Sequence, residues 1–143
     1  MKRLLVSACL LGEPCRYDGK SKPNESVLSL REHFELIPAC PEQLGGLSTP
    51  RTPCEICNNQ VVTQKGEDRT QEYRLGAERA LSLYKDTACS AAVLKKNSPS
   101  CGKGLIYDGS FSKTKVRGNG ITAELFLNCG IPVYTEDETE GLI

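Results

Sequence analysis

The chain has 143 residues, 18 Lys and Arg against 18 Asp and Glu, and 38% hydrophobic and 25% charged residues. A single domain of this size buries about two-thirds of its unfolded surface, so it needs no metal or disulfide simply to fold. The balanced charge speaks against a general nucleic-acid binder, and the composition excludes long disorder, collagen and coiled coil.

Residues 3–8 read as a buried parallel strand, a short apolar run closed by turn residues. The basic start superficially suggests a signal peptide. However, the apolar run holds Ser7 and Cys9 and meets Gly12 and Pro14 at once, with no cleavage pattern. No stretch approaches the roughly 18 apolar residues of a membrane span, so the expected location is cytoplasmic, where thiols stay reduced. A loop over 12–22 leads to a helix at 24–33, with Asn24 as N-cap and Val27, Leu28 and Leu30 on one side. A second strand is expected at 34–39, then a breaker segment rich in proline and glycine at 40–53. A short strand at 60–64 precedes the clearest helix, 69–85. Its face carries Tyr73, Gly76, Ala77, Ala80, Leu81 and Tyr84, with Thr70 as the cap. A strand at 90–94, a loop at 97–104 and an extended stretch at 106–111 follow. Gly118, Asn119 and Gly120 introduce a helix at 122–128 closed by Gly130. A last strand runs over 131–134, and 136–143 reads as a frayed acidic tail. Alternating strands and helices predict an α/β fold: one compact domain over 1–143 with a mainly parallel, Rossmann-like sheet flanked by helices.

The anomaly is eight cysteines. In open α/β sheets the site lies outside the carboxyl ends of the strands. Cys9 ends the first predicted strand, Cys40 follows the second, and Cys101 sits in the loop after 90–94. Pro, Gly and Ser flank each one, a setting that suits thiolate ligands, and three thiolates favour a soft metal or an iron–sulfur cluster. The spacing alone equally allows buried, inert cysteines. Cys15 is open between a fourth ligand, a sulfur acceptor and a packed thiol. Cys54 and Cys57 form a CxxC that suits either a redox pair or half a zinc site. Gly118–Gly120 reads as a turn, with phosphate binding as the alternative. Lys95, Lys96 and Lys103 give the Cys101 loop local positive charge.

The motifs Ser7-Ala8-Cys9-Leu10-Leu11-Gly12, Cys15-Arg16-Tyr17-Asp18-Gly19, Cys40-Pro41-Glu42, Pro50-Arg51 and Ser98-Pro99-Ser100-Cys101-Gly102 occur in that order. Together they resemble the bacterial family catalogued as domain of unknown function 523, over nearly the whole chain. A branch of that family comprises thiouracil desulfurases, which carry a [4Fe–4S] cluster on three cysteines and remove sulfur without net redox change. The resemblance implies Cys9, Cys40 and Cys101 as cluster ligands, in a site sensitive to oxygen. It also implies a small-molecule substrate, a thiolated base or nucleoside, with no membrane and no stable nucleic-acid partner. Oligomeric state is left open. Glu42 is the candidate for acid/base work. Ser98, Ser100 and Asp18 are further catalytic candidates, and Cys15, Arg16 and Arg51 are candidate substrate contacts. The CxxC departs from the family pattern. The competing readings are another sulfur-transfer enzyme and a non-catalytic metal-binding or redox-sensing module.

Overall fold

The computed structural model describes every residue from Met1 to Ile143. In chain order the elements are β1 (Arg3–Ser7), α1 (Glu25–Leu28), β2 (Glu35–Ala39), α2 (Pro41–Leu44), β3 (Cys54–Cys57) and β4 (Gln60–Thr63). They continue with α3 (Thr70–Asp86), β5 (Ala91–Val93), β6 (Leu105–Tyr107), β7 (Lys115–Arg117), α4 (Ile121–Asn128) and β8 (Val133–Tyr134). Four parallel strands make the central sheet in the order β2-β1-β5-β8. Two antiparallel hairpins, β3-β4 and β6-β7, stand apart from it. No helix is long and apolar enough to cross a membrane.

The expected α/β sheet is therefore present, and the burial of β1 shows why the sequence announced it. Successive strand residues point to opposite faces. Leu4 and Val6 pack with Val27 and Leu30 on the α1 side. Leu5 packs with Ala80, Tyr84, Ala123 and Phe126 on the α3–α4 side. Both faces are covered, so β1 reads as a continuous apolar run rather than an alternating one. The chain places β2 on one flank of β1 and β5 on the other, and that reversal opens a crevice beyond the strand ends.

Four local expectations need correction. The 24–33 helix is a single α-turn at Glu25–Leu28, capped by Asn24 Oδ1 on the Val27 N–H at 3.1 Å, followed by a 3-10 turn at Ser29–Glu32. Thr70 does not cap α3: Asp68 Oδ1 accepts the Thr70 N–H at 2.8 Å, and Thr70 Oγ1 accepts the Val61 N–H at 2.9 Å. The breaker segment hides α2, and β3 follows it unannounced. The acidic end is bonded rather than frayed. Glu136 pairs with Lys95 at 3.1 Å, Asp137 with Lys96 at 2.7 Å and Glu138 with Lys103 at 3.0 Å. These pairs also neutralise the three lysines that gave the Cys101 loop its apparent positive charge.

Helix α2 is only four residues long and is held by α3. A Cβ on Gly76 would lie 1.9 Å from the Pro41 carbonyl oxygen, and one on Gly45 would lie 2.0 Å from the Glu72 carbonyl oxygen. Arg79 Nη1 also donates to the Leu44 carbonyl at 2.7 Å. Backbone meets backbone here, so neither partner can yield. Gly76→Ala is expected to cost about 2–3 kcal/mol through overpacking, read as a lower midpoint in urea unfolding. A midpoint equal to wild type would show that α2 can shift without penalty.

Candidate functional site

Cys9 and Cys40 are brought together by strand pairing. Ser7 and Ala39 are register partners at the carboxyl ends of β1 and β2. Cys9 follows in a 3-10 turn over Ala8–Leu11, and Cys40 is the N-cap of α2, with Pro41 pre-set at the first helical position. Cys15 returns from the loop to join them, and Cys9 and Cys15 share one buried cluster with Cys40 packed against it. Cys40 Sγ donates to the Cys15 carbonyl at 3.7 Å.

Cys101 reaches the same edge through a loop locked at both ends. Ser98 Oγ accepts the N–H groups of Ser100 and Cys101, each at 3.0 Å. The loop then caps α4 with its own carbonyls. Pro99 O accepts the Ile121 N–H at 2.9 Å, and Ser100 O accepts those of Thr122 and Ala123 at 2.9 and 3.2 Å. Those bonds consume the free N–H groups of α4, so the Gly118–Gly120 segment is a turn and not a phosphate cradle. Ser7 Oγ accepts the Lys95 N–H at 2.9 Å and lies within hydrogen-bonding reach of the Cys101 thiol. Ser100, 1% exposed, contacts Thr122 Oγ1 at 2.9 Å and accepts from Cys101 Sγ at 3.9 Å. Ser98 and Ser100 thus shape the loop that presents Cys101.

Cys15, Cys40 and Cys101 are held in a setting that favours the protonated thiol. Burial carries Cys101 up to about 12, against opposing bonds from Ser7 and Ser100. Hydrogen bonding to Cys15 and burial push Cys40 upward, although the Gln43 N–H aims at its sulfur. A bond with Cys40 favours the Cys15 thiolate, but contact with Cys9, burial and nearby negative charge carry it up to about 11. A bound metal reverses this, because a coordinating thiol is deprotonated outright. No three His, Cys, Asp or Glu side chains converge tightly enough to grip a single ion. Cluster ligands, by contrast, sit on different irons and stand further apart than ligands of one ion.

Beside the thiols lies a buried polar network. Glu42, in the first turn of α2, accepts at Oε2 from both Arg51 Nε, at 3.0 Å, and Arg51 Nη2. Tyr73 donates to Glu42 Oε1 at 2.9 Å. Burial and the Glu42 charge hold the Tyr73 phenol far above its ordinary range, so it acts as a donor. A carboxylate offers about four acceptor positions; three are filled and one on Oε1 is open. Arg51 also donates to the carbonyls of Ser48 and Cys15 at 3.1 and 2.9 Å and to Thr49 Oγ1 at 3.0 Å. All five of its N–H donors are taken. Arg51 therefore ties the Cys15 loop to Glu42, and the expected substrate contact has no free donor. Tyr73 and Ser7 were missed in the sequence because each carries an ordinary core signal, a helix face and a strand end.

The remaining candidates lie elsewhere. Asp18 is exposed and accepts the Lys20 N–H at 3.0 Å, a turn role. Arg16 stacks over the Tyr17 ring at 5.6 Å. Cys54 and Cys57 are three apart on a strand and point to opposite faces. Cys54 packs with Val61 and Tyr73, whereas Cys57 lies against Gly109. They can neither pair nor share a metal. Cys89, beside Thr87 and Arg3, sits at the opposite end of the sheet, and Cys129 is exposed past α4. A cavity of about 540 Å³ adjoins the network, lined by Ser48, Pro50, Arg51, Cys54, Arg69 and Glu72 among others. The three cysteines do not line it; Arg51 is the wall between.

The family model described as 2-thiouracil desulfurase matches residues 4–138. A Bacillus subtilis (strain 168) protein, uncharacterized protein YbbK, is 42% identical over 150 residues, spanning 98% of this chain and 99% of its own. Among solved structures, the [4Fe-4S]-dependent thiouracil desulfidase TudS superposes with a TM-score of 0.93 at 43% identity. That likeness covers 99% of this chain and 95% of TudS.

Proposed function

This chain belongs to the 2-thiouracil desulfurase family, and from that premise we propose that it is a [4Fe–4S]-dependent enzyme converting the C=S of a thiolated pyrimidine base, or a related thioamide, into C=O. The observation that carries the proposal is the gathering of Cys9, Cys40 and Cys101 beyond the ends of adjacent parallel strands.

The donor set fits the group. The thiols are three soft ligands from three separate segments, and the one nearby carboxylate is already committed to Arg51 and Tyr73. Cys9, Cys40 and Cys101 would hold the cluster, with Ser7 and Ser100 directing hydrogen bonds to the Cys101 sulfur. When bound, such a cluster keeps one iron without a protein ligand, a soft Lewis acid for the substrate sulfur. The net change is hydrolytic: C=S and water give C=O and hydrogen sulfide, with no electrons gained or lost. Glu42 is the proton acceptor for the attacking water, through the free position on Oε1. Arg51 and Tyr73 hold that carboxylate in place through three hydrogen bonds and so orient its free position.

The test is turnover of 2-thiouracil by protein reconstituted without air. One sulfide and one uracil are expected per C=S absorbance lost. Fully iron-loaded protein that releases no sulfide from any thiolated pyrimidine would overturn the activity.

A further inference from the structure

The mechanism above leaves Cys15 without a task, although it is 3% exposed and lies against two of the proposed ligands. We propose that Cys15 is a resolving cysteine: when the cluster is lost to an oxidant, Cys15 and Cys40 join in a disulfide that stores the site in a reversible form. This rests on the cluster reading for the identity of Cys40, but not on the reaction catalysed.

The geometry selects the pair. Cys40 Sγ already points at Cys15, donating to its carbonyl at 3.7 Å, and the two side chains are within hydrogen-bonding reach of each other. Cys15 sits on a loop rather than a strand. Its backbone is held by the local Glu13 carbonyl on its N–H and by Arg51 on its carbonyl, each at 2.9 Å, and belongs to no strand ladder, so rotation of its side chain is what brings the sulfur to bonding distance. Cys101 lacks that freedom, because Ser98, Pro99 and Ser100 pin its loop to α4. Cys40 is also the more accessible member, half-buried where Cys9, Cys15 and Cys101 are buried. It is therefore the thiol an oxidant meets first.

The chemistry balances with a low-molecular-weight disulfide as oxidant. Cys40 sulfur attacks glutathione disulfide, releasing one glutathione and leaving a mixed disulfide. Cys15 sulfur then attacks Cys40, forming the internal bond and releasing the second glutathione. Two thiols lose two electrons and two protons, and the oxidant gains both. Without a neighbour to resolve it, an oxidised thiol proceeds under peroxide to sulfinic acid, which reducing agents do not restore. A fourth thiol beside the ligands thus keeps an emptied site repairable.

The experiment uses full-length protein stripped of iron, reduced, desalted and held with glutathione disulfide for hours. Unreduced digests are then read by mass spectrometry, with chymotryptic or thermolytic cleavage at Leu10 and Leu11 separating Cys9 from Cys15. The expected product is a Cys15–Cys40 linkage in wild type, and glutathione retained on Cys40 in Cys15→Ser. After peroxide treatment and reduction, reconstituted Cys15→Ser is expected to recover at least about twofold less iron than wild type cycled in parallel. Each recovery is taken relative to the same protein's untreated loading. A dominant Cys9–Cys40 or Cys9–Cys101 linkage, or Cys15 still open to alkylation when Cys40 is blocked, would overturn the proposal. If Cys15→Ser fails to fold, the wild-type map decides alone. Thiouracil turnover is measured on untreated enzyme, so a failed disulfide and a failed activity are read separately.

Discussion

Single replacement of Cys9, Cys40 or Cys101 by serine is expected to remove most of the iron from anaerobically reconstituted protein. Wild type should hold about four irons and four acid-labile sulfides per chain. Each variant should retain under about a tenth of that, because a hard hydroxyl replaces a soft thiolate in a site with only three ligands. Serine leaves the fold nearly intact, since it differs from cysteine by a single atom of similar size, even though Cys9 and Cys101 are buried members of the two core clusters. Melting temperatures of the iron-free variants should therefore match iron-free wild type within a few degrees. Cys89→Ser and Cys129→Ser serve as controls, since these positions lie away from the strand ends that carry the other thiols, and both should load fully. Full loading in any one of the three variants would remove that residue from the ligand set. Full loading in all three would remove the cluster from this edge of the sheet.

The contrast between these groups was partly legible in the sequence. Strand β1 shows itself as a continuous apolar run because it is buried on both faces, and the edge rule for parallel sheets then places Cys9, Cys40 and Cys101 at one edge. The Schellman close of α4 was legible too: Gly130, at φ +76°, donates to Leu127 O while Ile131 donates to Phe126 O. What escaped was structure that carries no periodic signal. Helix α2 is one turn long, amid prolines and glycines, and exists because α3 presents Gly76 to its backbone. Strand β3 has only four residues and is defined by its partner β4. The acidic tail looked disordered because its charges seemed unpaired, yet Lys95, Lys96 and Lys103 meet them from loops far away in sequence. Long-range charge pairing has no local signature, and the same blindness hid the role of Arg51. Its motif suggests a substrate-facing cation, whereas its five donors are spent inside the protein.

That network separates catalysis from architecture at Glu42. Glu42→Gln is expected to lower kcat, measured per bound iron, by about 10²–10⁴, the usual worth of a positioned acid/base group. The amide keeps the shape and still accepts from Tyr73 or Arg51, but it cannot take a proton from water, and it also lowers the unfolding midpoint because the buried Arg51 charge loses its counter-charge. Arg51→Ala acts through stability alone. Its guanidinium and the Glu42 carboxylate are 6% and 14% exposed, so removing one partner strands the other charge at a cost of about 3–5 kcal/mol. The Cys15 loop loses its tie in the same step. Arg51→Ala should therefore lower the unfolding midpoint and iron retention together. Tyr73→Phe falls between, with a loss of about 1–2 kcal/mol from one bond to a charged acceptor and a smaller fall in kcat, since Glu42 keeps both bonds from Arg51. The ordering is the discriminating result. If Glu42→Gln retained wild-type kcat at full iron loading, Glu42 would be a partner for Arg51 and nothing more, and the proton acceptor would have to be sought at another group facing the three cysteines.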